Sequence, residues 1–444
     1  MQRASNCPAR RLLASLAMGI AVALLVAPTV GTQASQLQGD CHDRTATLKH
    51  GLHGEWVQIK SAVIDKGRVK VRVPGDVDLR TARRLQMIEA PSRLPLDFVN
   101  DTDLCQCDQV HSKASLVMEP FMWGHYGHTT FDTFAATYAT MRESHTLVED
   151  PVIYMNFDQN ANEVSSINSA GQVPLDDFYG EMFSTVSSHP IQAWHALVEQ
   201  SFTSRICFDN LVMGVSRRIG HYRSDLDWPE FDVALMKSFS GFLHRKLPPY
   251  RELDLNCKFR VAILDRQSDR RILNIRELSL AVKTHLVTQG VQDYCVDVVD
   301  AENLRFSQQY HLFHNTRVLI GVDGTGLLNA AFMKSPCSGC VHVQPFLQDV
   351  VDTGKEYEMK AFCTRFAGHW ESWHNDNFSS VVWPSNFDPE IINLARTGTK
   401  EAHSKLQSLH EGNFVSREPN MYVNVVELMQ LVAKVIDATK YSVC

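Results

Sequence analysis

The sequence predicts an α/β fold with two halves, each built on a mainly parallel sheet, that face each other across a cleft. Short apolar runs alternate with segments of helical spacing along most of the chain, which is typical of this class. The composition is globular, with 44% apolar and 21% charged residues, and 444 residues suffice for two domains after an N-terminal segment. We expect the halves at 113–245 and 246–444, after a polar, irregular stem and lead-in at 36–112.

Residues 1–35 have the features of an export signal. Arg3, Arg10 and Arg11 precede an apolar run from Leu12 to Val26, and small residues follow. The run is short enough for a cleaved signal peptide and, extended to Val30, just long enough for a signal-anchor. Both alternatives direct the rest of the chain into the secretory pathway lumen, as a secreted or a type II membrane protein.

The cysteines agree with an oxidising compartment. Without Cys7 the chain has ten, an even number that permits disulfides whose pairing the sequence does not give. Cys337 and Cys340 have the spacing of a zinc or redox pair, but without a second such pair a structural disulfide between them is the favoured interpretation. Asn100 and Asn377 begin glycosylation sequons.

The first half shows strands and helices in alternation. The patterns predict strands at Leu116–Met118 and Val152–Met155, an extended segment at Ile206–Val215, and helices at Phe131–Met141 and Ile191–Phe202.

The second half predicts the order β-α-β-α-β-α-β. Compact apolar runs give the strands and apolar residues at helical spacing give the helices. The strands are Phe259–Leu264, Tyr294–Val299, Val318–Val322 and Val341–Val343, and the helices are Asn274–Val287, Ala301–Phe313, Leu327–Met333 and, at the end of the chain, Val423–Ile436.

An arginine-rich loop follows the first of these strands. Arg266, Arg270 and Arg271 stand where a ligand would bind in such a sheet, with Asn274 and Glu277 at the start of the next helix. Guanidinium groups suit phosphates because they donate two parallel hydrogen bonds and keep their charge. The alternative is a solvated, charged turn with Asn274 as the helix cap.

Two further motifs are candidates for chemistry. Gly324 and Gly326 flank a turn after the third strand, where backbone amides can approach a phosphate; no lysine follows as in a P-loop. His128 and Asp132 stand four residues apart, and a histidine paired with a carboxylate is a natural general base, although a hydrogen-bonded pair at a helix start is the commoner occurrence.

Other classes of function have little support. The pI of about 6.2 and the absence of a basic patch with aromatic residues give no reason to expect a nucleic-acid partner. The remaining histidines follow no metal-ligand pattern, so we expect no metal ion and no cofactor.

Together these blocks resemble the family 61 glycosyltransferases. The match rests on the His-x-x-x-Asp block, on Arg266 to Leu278 and on Ile320 to Asn329, in that order, with Cys207-Phe208 to Gly214 as a weaker block. The family's histidine and alanine in the glycine block are Asp323 and Thr325 here, and its acidic residue before Pro345 is Gln344.

The resemblance implies a GT-B-like enzyme with two Rossmann-like halves, an inverting glycosyltransferase of the Golgi or ER. It would move a sugar from a nucleotide sugar, a UDP-sugar above all, to a glycan or glycoprotein acceptor, and the membrane would be a partner if the N-terminal segment stays uncleaved. The alternative is an inactive luminal module that binds glycan or protein. The implied catalytic residues are His128 and Asp132, and the implied nucleotide-sugar site is Arg266, Arg270, Arg271, Asn274, Glu277, Asp323, Gly324, Thr325 and Gly326.

Overall fold

A computed structural model gives the fold. It describes residues 48–50, 56–72, 96–99, 106–120, 123, 126–157, 168, 170–216, 233–251, 257–267, 269–334, 336–344, 353–375, 377–383, 385, 389–397 and 419–442. The expected signal peptide or signal-anchor at 1–35 lies outside these residues. Among the helices so described, none combines the length and the apolar character that a membrane span requires.

The first sheet has nine strands within the described residues, in the order β4-β3-β2-β9-β6-β7-β8, with β1 on β2 and β5 on β9. Strands β6, β7, β8 and β9 pair in parallel, and β2 joins β9 antiparallel. The strands are β1 (Leu48–His50), β2 (Trp56–Asp65), β3 (Arg68–Arg72), β4 (Leu96–Val99), β5 (Gln109–His111), β6 (Ser115–Met118), β7 (Val152–Met155), β8 (Gln192–Ala193) and β9 (Ile206–Gly214).

Part of the range expected to be an irregular stem belongs to this sheet. Strands β2 and β3 form a hairpin in which Lys66 and Gly67 have φ of 52° and 77°, the left-handed conformation that tight hairpin turns favour. Strand β2 then pairs with β9 along most of its length. The expectation of an irregular segment is therefore wrong for 56–72, because long-range pairing with β9 orders these residues.

The helices of the first half cover the apolar face of the sheet. The predicted helix at Phe131–Met141 is confirmed, although it begins with a π-helical segment, His128–Ala135, before α1. The predicted helix at Ile191–Phe202 starts later, after β8. The α-helices are α1 (Ala136–Glu143), α2 (Asp177–Ser184), α3 (Trp194–Gln200) and α4 (Val233–Lys246), and a 3-10 turn spans Leu147–Glu149.

The second sheet is parallel throughout and confirms the predicted alternation of strands and helices. Its strands are β10 (Phe259–Leu264), β11 (Tyr294–Val299), β12 (Val318–Val322), β13 (Ser338–Gln344) and β14 (Gly368–His374). Its helices are α5 (Ile275–Thr288), α6 (Phe306–His314), α7 (Thr353–Phe366), α8 (Pro389–Thr397) and α9 (Val425–Thr439), with 3-10 segments at Ala301–Asn303, Thr325–Phe332 and Phe378–Ser380 and a small ribbon of β15 (Val381–Val382) and β16 (Asn420–Met421).

The strand order β11-β10-β12-β13-β14 reverses direction at β10. Strand β11 lies on one side of β10, and β12 lies on the other. The connection that leaves the carboxyl end of β10 and the connection that leaves the carboxyl end of β12 therefore run in opposite directions, and a crevice opens between them. Open α/β sheets bind ligands in the crevice at such a switch point. The arginine loop follows β10 and the glycine turn follows β12, so the fold brings both motifs to this crevice.

One hydrophobic cluster joins the two sheets. It includes Leu116 and Ile153 from the first sheet and Ala262 and Leu319 from the second. Aromatic rings fill the space between them: Phe131 stacks on Phe332 with 5.8 Å between ring centroids, and Phe134 meets Phe306 edge to face at 6.0 Å. The two sheets thus share a continuous core.

The cysteine pairing differs from the expected pattern. Disulfides join Cys107 to Cys207 and Cys257 to Cys295. Cys337 is also disulfide-bonded, but Cys340 is a free, buried thiol. Burial, together with the neighbouring Cys340, raises the pKa of the Cys363 thiol. The expected Cys337–Cys340 disulfide is therefore wrong, because Cys340 lies within a strand of the core, beside Cys363.

Candidate active site

The arginine loop after β10 directs two guanidinium groups toward the glycine turn. Arg266 donates from Nη2 to Asp269 Oδ1 at 2.7 Å and from Nε to the Asp269 carbonyl at 3.0 Å, which fixes its orientation. Arg270 has a φ of 53° and donates from Nη1 to the Asp323 carbonyl at 3.0 Å. Asp269 thus holds one arginine, and the glycine turn holds the other.

Gly324 lies where these two arginines converge. Its φ of 142° is a conformation that residues with a Cβ rarely adopt. A Cβ at this position would lie 3.2 Å from Arg266 Nη1 and 3.3 Å from Arg270 Nη1. The glycine therefore keeps the space in front of both guanidinium groups free of a side chain.

Asp323, the residue before this glycine, is buried. Only 4% of its surface is exposed, and its Oδ1 lies 3.3 Å from His342 Nε2 on the neighbouring strand β13. His342 in turn packs against Trp370, with ring centroids 5.0 Å apart. The carboxylate of Asp323 is thus held against an imidazole and does not line the crevice.

Arg271, Asn274 and Glu277 contact the C-terminal part of the chain or one another. The backbone amide of Arg271 donates to the Asn420 side chain at 2.8 Å. Asn274 exchanges two hydrogen bonds of 2.9 Å with the backbone of Val423 and also donates to Glu277 at 3.2 Å. Arg271 and Asn274 thus anchor the segment before α9, and the Arg271 guanidinium lies 3.9 Å from the Asp265 carboxylate.

The block from Tyr126 to Asp132 packs directly on the glycine turn. Tyr126 donates its hydroxyl to Asn329 Oδ1 at 2.6 Å, and burial raises the pKa of that hydroxyl far above its usual range. Gly127 is so close to Thr325 that a Cβ would lie 2.7 Å from its Cγ2. The first and second halves therefore meet at the two glycine-containing motifs.

His128 and Asp132 form the predicted pair. His128 Nδ1 lies 2.7 Å from Asp132 Oδ2, and both side chains are more than 90% buried. With Nδ1–H donating to the carboxylate, the basic nitrogen of the neutral imidazole is Nε2. The π-helical backbone from His128 sets this pair next to the contact between Gly127 and Thr325.

A cavity of about 330 Å³ opens at the switch point. Arg266, Thr325 and Gly326 line one wall, and aromatic side chains from the first half line the other. Gln309 also lines it; its amide nitrogen donates to the Ala301 carbonyl, while Oε1 has no hydrogen-bond partner. The cavity-lining residues that sequence reasoning missed are Tyr126, Asp176, Phe178, Tyr179, Leu264, Asp265, Ala301, Glu302, Gln309, Val322 and Asn329.

The sequence carried a signal for some of these residues. Asn329 ends the Ile320–Asn329 block and Tyr126 stands two residues before His128, so these blocks indicated the neighbourhood although not the hydrogen bond. Phe178 and Tyr179 come from α2, which no motif marked. Among the described residues, no group of three or more histidine, cysteine or carboxylate side chains could hold a metal ion.

Part of the chain matches a known protein family. The family model described as Glycosyltransferase 61 matches residues 126–340. Residues 126–340, called the family 61 segment below, are thus similar to glycosyltransferase family 61. The family 61 segment runs from Tyr126 to Cys340 and contains every candidate site residue named from the sequence.

Curated proteins that are similar to this chain include several with the same name. The EGF domain-specific O-linked N-acetylglucosamine transferase of Gallus gallus is 32% identical over 168 residues, which are 35% of this chain and 29% of that protein. The protein of the same description from Drosophila melanogaster is 26% identical over 194 residues, 41% of this chain and 35% of the relative. The chain thus matches only about a third of the length of these relatives.

Proposed function

We propose that this chain is an inverting glycosyltransferase that moves a sugar from a UDP-sugar to a glycan or glycoprotein acceptor. The observation that carries the proposal is the cavity at the switch point, where an arginine and a glycine turn of the family 61 segment face aromatic side chains of the first half. The described relatives, named as O-linked N-acetylglucosamine transferases, support a sugar donor of this chemistry.

The arginines and the glycine turn suit the donor diphosphate. Arg266 and Arg270 bring two guanidinium groups to the space in front of Gly324, where phosphate oxygens would accept charge-assisted hydrogen bonds. As the bond between the anomeric carbon and the diphosphate breaks, the electron pair and negative charge pass to the leaving group. Fixed cationic donors stabilise that charge without a metal ion.

The His128–Asp132 pair is the proposed base. The acceptor hydroxyl would attack the anomeric carbon from the side opposite the diphosphate, and its proton would pass to His128 Nε2. Asp132 would orient the ring and stabilise the imidazolium through the 2.7 Å contact. Neither side chain is among the residues that line the cavity. Asp132 is the alternative base, and the variants below separate the two.

The wider setting follows from the same proposal. We propose that the two sheets are the halves of a GT-B-like fold and that the protein works in the lumen of the Golgi or ER. The Cys107–Cys207 and Cys257–Cys295 disulfides support an oxidising compartment.

The competing function is an inactive luminal binding module. Its support is Asp323, because a carboxylate beside a diphosphate would repel it. The Asp323 carboxylate is buried against His342 and does not line the cavity. Asp176, Asp265 and Glu302 do line it, so Arg266 and Arg270 would have to offset their charge toward a diphosphate. The convergence of these two arginines at Gly324 is what favours the transferase.

Donor binding is the first test. A ligand that binds only the folded protein raises its unfolding temperature. We expect one UDP-sugar to raise it, with or without a chelator, and Arg266→Gln to abolish the rise. Arg276→Gln, on an exposed arginine of the neighbouring helix α5, is the matched control and should keep it. Equal shifts in both variants, or no shift with UDP, GDP or CMP sugars, would contradict the proposal.

The base is tested by kinetics. His128→Asn should lower kcat on the order of 10²–10⁴-fold while the donor-induced shift stays unchanged, because a general base acts only in the transition state. Should Asp132→Asn remove all activity while His128→Asn keeps most of it, Asp132 would be the base instead.

A further inference from the structure

A second cavity, of about 800 Å³, lies at the amino ends of the strands of the parallel sheet. Lys258 precedes β10 and Arg317 precedes β12, so these two residues mark the amino ends of the strands whose carboxyl ends form the first cavity. Lys237 reaches it from α4, and Lys334 follows the 3-10 segment Thr325–Phe332. A strand of six residues spans about 20 Å, so the two cavities are distinct.

The lining of this second cavity is cationic. It includes the four cationic side chains just named, and none of the described residues that line it carries a carboxylate. Lys258 is paired with Asp293, outside the lining, at 2.9 Å. The chain as a whole has a formal charge of −7, so the local charge is opposite to that of the protein.

Two of these cations, Arg317 and Lys334, are partly buried where they line the cavity. Partial burial lowers the pKa of both Arg317 and Lys334, and the positive charge of Arg317 lowers that of Lys334 further. Arg317 is fixed in place by its hydrogen bond from Nη1 to the Cys337 carbonyl at 3.1 Å. An anion between these groups would offset both their repulsion and their loss of hydration.

We propose that this cavity binds an oxyanion, that is, a phosphate, sulfate or carboxylate group, either as a free ion or carried by a sugar. Arg317 presents a fixed guanidinium at its base, and Lys237 and Lys334 supply cations that are accessible to solvent. Asn315 and Thr316 also line it, but their side chains are engaged within the protein: Asn315 accepts from Lys334 Nζ at 3.4 Å and Thr316 donates to the Leu312 carbonyl at 2.8 Å.

The test uses inorganic sulfate, inorganic phosphate, glucose 6-phosphate, glucuronate and, as the uncharged control, glucose. Binding is measured by calorimetry and by the rise in unfolding temperature of the full chain. The variant Lys237→Gln with Lys334→Gln removes two charges and leaves the hydrogen bond from Arg317 to the Cys337 carbonyl intact. Lys283→Gln, on the exposed face of α5, is the matched control. Arg266→Gln reports on the first cavity.

We expect the double variant to bind the anions on the order of tenfold more weakly, because each lysine donates a charge-assisted hydrogen bond. Lys283→Gln should bind them as the unaltered protein does. Arg266 belongs to the proposed donor site, so Arg266→Gln measures anion binding there; a loss in Arg266→Gln with none in the double variant would overturn the proposal. Stronger binding of glucose 6-phosphate than of free phosphate would assign a sugar-borne anion, and equal binding would assign the free ion. Equal affinity in the double variant, or no binding of any anion, would overturn the proposal. The donor site can fail its own test without affecting this result.

Discussion

The contact between Gly127 and Thr325 gives a prediction whose sign depends on two opposing effects. Gly127 has φ of −61° and ψ of −47°, so alanine fits the backbone, and its lower unfolded-state entropy would stabilise the protein by about 0.4–1 kcal/mol. The added Cβ would lie 2.7 Å from Thr325 Cγ2, well inside the roughly 3.5–4.0 Å of a normal carbon contact. Overpacking of this kind costs about 1–3 kcal/mol.

We therefore expect Gly127→Ala to destabilise the protein by roughly 1–2 kcal/mol, measured by denaturant unfolding. Thr325→Ser removes Cγ2 and with it the shortest contact. In the Thr325→Ser background, the same Gly127→Ala change should cost less. The remaining contacts are with the flexible end of Leu328 at 3.0 Å and with the Cβ of residue 325 at 3.2 Å, which serine keeps.

The double-mutant cycle separates this explanation from a general loss of packing. Residues in direct contact show a coupling energy of about 0.5–3 kcal/mol, and independent residues show almost none. If Gly127→Ala costs the same free energy of unfolding in both backgrounds, the two motifs do not meet as described and the reasoning is refuted.

Three further outcomes follow from the structure. Burial lowers the pKa of His314 to about 4, so the unfolded chain binds a proton at this residue more readily than the folded protein does. The stability that this difference contributes is therefore fully present above pH 6.5 and is lost as the pH falls toward 4. His314→Asn should flatten the acid limb of the profile of unfolding temperature against pH, and an unchanged limb would exclude this cause. Asn274→Ala should cost about 1–3 kcal/mol of unfolding free energy because it leaves buried backbone groups unpaired, and a weakened donor affinity at unchanged stability would instead support its sequence-predicted role. Asn377 is exposed, so expression through the secretory pathway should add a glycan to it, and Asn377→Gln should lack that glycan. Mass spectrometry checks this: a mass difference between the two proteins no larger than the substitution itself would argue against glycosylation at this residue.

The second half was more predictable than the first, for a physical reason. Central strands of a parallel sheet are buried on both faces and read as continuous apolar runs, so Phe259–Leu264 and Val318–Val322 have the predicted bounds. The edge strand Tyr294–Val299 also has them, although it is only partly buried. Strand β2 contains Gln58, Lys60 and Ser61 and has no such run. Its signal was the Lys66-Gly67 turn, and its order depends on pairing with β9, which is distant in the sequence.

The candidate site was predictable to the level of its loops. The crevice brings Arg266 and Arg270 to Gly324, which the strand ends implied. The hydrogen bond from Tyr126 to Asn329 spans 203 residues, and a single sequence contains no information on such a partner. The same holds for the buried neighbours Cys340 and Cys363.

The aromatic core shared by the two sheets restricts how substrates can enter. A hinge motion that separated the sheets would expose Phe131, Phe134, Phe306 and Phe332 to water. Exposing each of these rings costs about 1.5–3 kcal/mol, so opening by a rigid swing would require a large part of the stability of an ordinary domain. Substrate exchange must therefore proceed through local displacement of side chains and loops at the rim, and its rate should be insensitive to mutations that stiffen the link between the sheets.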